Sequence, residues 1–150
     1  MMPAMIRTFQ IFCMLFLLAP LSAQAQVGEE DFSLMEEAVF YSAQADAYGA
    51  YCNKESDLAQ SFIDQFRDKK GISEEQEEGL TSRKGKVFEE QKGALEVQAQ
   101  DCKNLDFMMA RLEVMKQLKD VSYRLNGIDP ETIPSPDIPK LDALIDLEDL

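Results

Sequence analysis

Leu34, Ala38, Tyr41, Ala45, Tyr48 and Cys52 recur at alternating intervals of four and three residues, and the stripe ends on a cysteine. That interval is one face of an α-helix, not the period-two alternation of a half-buried strand. A second stripe, Leu95, Cys102, Leu105, Met109 and Leu112, also carries a cysteine. Two helical segments that each bring a cysteine to the core can be stapled together, so the pattern predicts a bundle closed by one bridge.

The pairing depends on how the chain starts. Met1 to Arg7 contain one arginine and no acid, the apolar run "IFCMLFLLAPL" spans Ile11 to Leu21, and Ser22-Ala23-Gln24-Ala25 follows. A basic lead, a short apolar run and an A-x-A site make a secretory signal peptide. Residues 1–25 are therefore expected to be removed, leaving Gln26 first. The run is about half the roughly 20 apolar residues that a spanning helix needs, and Pro20 interrupts it. No membrane span is expected after cleavage.

Cleavage removes Cys13 and leaves Cys52 and Cys102. In the oxidising compartment that an exported chain enters, an isolated pair forms a disulfide. Closing a loop of about 50 residues stabilises a fold by roughly 4 kcal/mol in the chain-entropy model. The competing readings are weaker. A catalytic thiol needs a base such as histidine, and the chain has none. A cysteine metal site needs more soft ligands or a C-x-x-C pair.

The remaining pattern is helical. A first helix is expected from a cap at Asp31 or Ser33 to about Asn53. A shorter one starts at Ser56 or Asp57, carries Leu58, Phe62, Ile63 and Phe66, and stops at Lys69-Lys70-Gly71. Ser73 and Gln76 form a capping box, with Ile72 as a hydrophobic staple. The helix they start carries Leu80, Val87, Phe88 and Leu95, and a break is expected between Gln98 and Asn104. Asp101 is the expected cap of a fourth helix ending at Asn126-Gly127. The fold class is all-α: a small bundle of three long helices and one short one, with one disulfide, over residues 26–127.

Residues 128–150 change character. Four prolines lie between Pro130 and Pro139, and residues 126–150 hold seven acids and one lysine. Such a tail is extended and semi-rigid in its proline part. Beyond it, Leu141, Leu144, Ile145, Leu147 and Leu150 alternate with acids. That spacing suits a short amphipathic helix, expected to pack back on the domain or to be the partner-binding segment, with plain disorder as the remaining reading.

Composition narrows the function. The chain has 28 acidic and 15 basic residues, a net charge of −13, and becomes one unit more negative when Arg7 leaves. Nucleic-acid phosphates and anionic lipid repel such a protein, so the expected partner is another envelope or secreted protein, a basic one for preference. The lack of histidine removes the usual proton shuttle, the Ser-His-Asp and Cys-His systems, and most zinc and copper sites. There is no glycine-rich phosphate loop and no calcium loop. No cofactor, no metal and no enzymatic activity are expected.

The remaining signals are weaker. Glu55-Ser56 resembles the Glu-Ser pair of lysozyme-like lytic transglycosylases, which implies a carboxylate enzyme acting on cell-wall glycan. The family's glycine-rich and Tyr-Asn motifs do not follow it, and a helix junction is the simpler reading. Glu74, Glu75, Glu77 and Glu78 read as a solvated helix start rather than a cation site. Arg83, Lys84 and Lys86 read as an exposed face paired with acids. Met108, Met109 and Met115 read as core filling rather than soft-metal ligands. In size, charge and cysteine number the chain resembles the small acidic helical periplasmic proteins, some of which act as acid-stress chaperones. The expected function is an exported adaptor, inhibitor or accessory subunit, periplasmic if bacterial, with a chaperone-like role as the alternative and a glycan enzyme as the second alternative.

Overall fold

The structure, a computed structural model, describes residues 27–134. The expected signal peptide and the segment with Leu141, Leu144, Ile145, Leu147 and Leu150 lie outside the described residues. The described chain is an all-α bundle: α1 (Glu29–Tyr51), α2 (Leu58–Gln65), α3 (Glu74–Gln98) and α4 (Leu105–Leu125). A π-helical turn, Phe66–Lys70, extends α2, and a 3-10 turn, Pro130–Thr132, follows α4. No strand occurs among the described residues.

The first helix starts earlier than its sequence suggests. Neither Asp31 nor Ser33 caps it; Gly28 takes the cap position with no side-chain bond. Glu29, Glu30 and Asp31 all fall in the first turn, where the helix dipole favours acids. Val27 and Phe32, the residues flanking that turn, both pack against the core. They occupy the two positions of a hydrophobic staple, which fixes the entry of the chain without a side-chain cap.

Helix α1 is the axis of the molecule, because α2, α3 and α4 all pack against it. It buries far more than the predicted stripe: Met35, Val39, Ser42, Ala43, Asp46, Ala47 and Gly49 are also out of solvent. The small residues make this possible, since three neighbours can close on a helix only where side chains are short. Three apolar clusters stack along it. Met35, Ala38 and Val39 meet Ile63, Phe66, Ile72, Leu80 and Val121. Ala43, Ala59 and Val87 follow, with Phe40 against them. Tyr48, Leu95 and Phe107 close the far end beside both cysteines. Each fully buried large side chain in these layers contributes about 1.5–3 kcal/mol.

The other helix ends follow local chemistry. Gly71 stops the π turn with φ 66°, a left-handed conformation that glycine adopts without strain. The capping box of α3 is present in both directions: Ser73 Oγ accepts from Gln76 N, and Gln76 Oε1 accepts from Ser73 N. The expected staple at Ile72 is not formed, since its partner position is Glu77; Ile72 instead joins the core with Leu80.

Cys52 and Cys102 form a disulfide with their Cα atoms 5.9 Å apart. The cysteines do not lie on helix faces as the stripes implied. Cys52 is the residue after α1, and Cys102 lies in the turn between α3 and α4. The bridge therefore joins one helix end to a turn. Tyr51 Oη reinforces it by donating to the Gln100 carbonyl at 2.7 Å. Tyr48 meets Phe107 edge to face at 5.1 Å.

Candidate interaction surface

Helix α4 is capped by Asn104, not by Asp101. The Asn104 side chain accepts from Asp106 N and Phe107 N. Asp101 instead shapes the preceding turn, where its side chain accepts from Lys103 N and its carbonyl from Asn104 N. The turn places Phe107 against Tyr48 and Tyr51, which fixes the rotation of the whole helix. Phe107, Leu118 and Val121 are buried, and Val114 and Leu125 pack against the same core.

That rotation turns the predicted stripe outward. Leu105 is 69% exposed, Met108 49%, Met109 57%, Leu112 59% and Met115 40%. Leu105, Met109 and Leu112 are thus not core residues, and Met108, Met109 and Met115 are not core filling. At 100° per residue the five side chains fall within one sector of the helix, opposite Phe107 and Leu118. Lys116, Lys119 and Tyr123 occupy the same sector, and Lys119 Nζ lies 5.5 Å from the Tyr123 ring centroid. Asp106, Glu113 and Asp120 fall to one side. The outer face of α4 is therefore apolar over its first three turns and basic beyond them, with no acid among its eight residues.

Contiguous exposed apolar strips are uncommon on soluble proteins in general, and where they occur they often coincide with interaction surfaces. Methionine suits such a surface because its unbranched, polarizable side chain adapts to different partners. Three methionines and two leucines at a, d-like spacing form a seam that can receive an amphipathic helix.

The other sequence candidates are arranged differently. Glu55 is exposed in the loop between α1 and α2, where it lines a shallow depression with Asn53, Asp57, Phe88 and Lys92. Glu77 of the acid cluster pairs with Arg67 at 3.1 Å. Arg83 lies 3.8 Å from Glu36 and stacks over Phe40, Lys84 bonds Asp57 at 2.9 Å, and Lys86 faces Glu90. These basic residues are paired with acids, as their exposed face predicts. Among the described residues no group of three or more His, Cys, Asp or Glu side chains is placed to hold a metal. No described helix is long and apolar enough to cross a membrane.

One polar residue escaped the sequence reading. Asp46 is 3% exposed in the middle of α1. Its side-chain oxygens accept from Ser56 Oγ at 2.6 Å, from Leu58 N at 3.0 Å and from Ala59 N at 3.0 Å. It therefore caps α2 from another helix, doing what Ser56 or Asp57 was expected to do. Gly49 lets the loop close over this bond: a Cβ there would lie 2.6 Å from the Lys54 carbonyl oxygen. Asp46 is structural, a hinge pin between α1 and α2.

No family model matches the chain, and neither a curated protein nor a solved structure does.

Proposed function

We propose that this protein is an exported, non-enzymatic interaction module, periplasmic in a bacterium: an adaptor, inhibitor or accessory subunit that docks an amphipathic segment of another exported protein on the outer face of α4. The observation that carries the reading is the exposure of Leu105, Met108, Met109, Leu112 and Met115 on a helix whose opposite face is in the core. The five side chains are 40–69% exposed, so a partner that covers them recovers part of the roughly 1.5–3 kcal/mol that full burial of each is worth. Lys116 and Lys119 favour a partner segment with acids at one end. The acidic remainder of the surface, notably Glu29, Glu30, Asp31 and Glu74, Glu75, Glu77 in two first turns, steers cationic surfaces of the same partner.

The test compares Leu112→Asp with the unchanged protein as bait in an envelope extract. The expected result is one or a few proteins retained by the unchanged chain and lost from the variant, whose helix content and unfolding midpoint stay the same. Equal retention by both would overturn the reading.

The same exposed methionines favour one alternative, a chaperone-like role. An adaptable apolar strip on a highly charged domain can hold unfolded clients, and protonation of carboxylates toward pH 4 lowers its charge repulsion. That role predicts suppressed client aggregation near pH 4 and loss of suppression in Leu112→Asp; no suppression at any pH removes it.

A further inference from the structure

We propose that Met108, Met109 and Met115 are an oxidation site: a hydroperoxide converts their thioethers to sulfoxides, and the outer face of α4 turns from apolar to polar and closes to an apolar ligand. The inference rests on the docking surface just proposed and adds a modification that turns it off.

Three observations carry it. The first is where the fold puts sulfur. Residues 26–150 contain four methionines, Met35, Met108, Met109 and Met115. Met35 is fully buried, in the cluster with Val39, Ile63, Phe66 and Leu80. The other three are exposed and lie within about 10 Å along one helix. A dissolved oxidant meets these three directly and is kept from the fourth, and susceptibility to oxidation follows exposure.

The second is the lack of a competitor. Both cysteines of residues 26–150 are tied in the Cys52–Cys102 disulfide, so neither offers a thiolate. The chain contains no tryptophan and no histidine. The methionine thioethers are therefore the most readily oxidised side chains of residues 26–150.

The third is what the reaction does to the face. The sulfur gives an electron pair to one peroxide oxygen, an S–O bond forms, and the O–O bond breaks. The departing oxygen takes a proton and leaves as water or an alcohol. Sulfur is oxidised by two electrons and the peroxide is reduced by two. The product is polar and chiral, and it disrupts methionine-rich interfaces, because covering its oxygen without a donor is unfavourable. Of the five apolar side chains only Leu105 and Leu112 then remain, seven residues and about 10 Å apart, and the strip is no longer continuous. None of the three methionines belongs to a core cluster or packs against one. Helix α4 therefore stays docked through Phe107, Leu118 and Val121. A sulfoxide at Met35 would instead put a polar group into the core. The fold thus presents sulfur where oxidation changes recognition and hides it where oxidation would disrupt packing.

The test treats the full exported chain with dilute hydrogen peroxide, desalts it, and reads two quantities. One is intact mass with peptide mapping. The other is the affinity for anilinonaphthalene sulfonate, a dye that reports exposed apolar surface and whose negative charge suits Lys116 and Lys119. The expected product is about 48 Da heavier, the mass of three oxygens, with sulfoxide at Met108, Met109 and Met115 and none at Met35. Its helix content is unchanged, and its dye affinity is about tenfold lower. Met108→Leu combined with Met109→Leu and Met115→Leu keeps an apolar face of similar volume. That variant is expected to bind the dye as the unchanged chain does, before and after peroxide. Equal oxidation of Met35, a dye affinity that peroxide leaves unchanged, or the same loss in the leucine variant overturns the proposal, as does an untreated chain that binds no dye. Neither readout involves a partner, so a failed capture experiment with Leu112→Asp counts against the docking reading alone.

Discussion

Asp46 shows how a single side chain can organise two helices. Its three hydrogen bonds satisfy a hydroxyl and two of the orphan amides at the start of α2, groups that would otherwise be stranded at a partly buried junction. Asp46→Ala is expected to cost about 3 kcal/mol, read as a lower urea midpoint, with Asp46→Asn milder because it keeps an acceptor. Neighbouring Gly49 is tight for a different reason. Its missing side chain admits the Lys54 carbonyl, so Gly49→Ala is expected to lose about 1–3 kcal/mol through overpacking, although alanine normally favours helix. An unchanged midpoint in both substitutions would mean that the α1–α2 loop is not held as described. The role of Asp46 was not legible in the sequence. A cap supplied from more than ten residues upstream leaves no local signature, whereas the reciprocal Ser73–Gln76 box is contained in four consecutive residues and could be read directly.

At the scale of elements, the sequence contained the right helices but put one of them the wrong way round. Breaks at Gly71 and between Gln98 and Asn104 were legible because glycine, capping residues and charge mark helix ends locally. The rotation of α4 was not. That helix is apolar on two opposite sides, and periodicity cannot say which side is inside. Extending the stripe through Cys102 assumed that the cysteine shared a helix with Leu105, but the Asn104 cap begins a new helix with its own phase. The aromatic contact of Phe107 with Tyr48 and Tyr51 decides the matter. Because the outward side makes no contribution to the core, Leu112→Asp is expected to change stability by less than about 0.5 kcal/mol, whereas Phe107→Ala is expected to cost about 3–5 kcal/mol. Comparable losses from both, in denaturant titrations, would mean that the rotation is wrong.

For the molecule as a whole, the disulfide was the most legible long-range feature, since the two cysteines of residues 26–150 allow only one pairing with each other. It locks the end of α1 to the α3–α4 turn and so holds the start of α4, and with it the exposed strip, in a fixed orientation on the bundle. Replacing Cys52 and Cys102 by serine is expected to remove roughly 4 kcal/mol, a large share of the 5–15 kcal/mol typical of such a domain. If the outer face of α4 docks another protein, site-specific photo-crosslinking in the intact cell will capture it, with a photoreactive residue at Leu112 and, in a parallel chain, at the exposed Glu89 of α3. A discrete crosslinked product is expected from position 112 and not from position 89. No product from 112, or the same products from both positions, would contradict that docking.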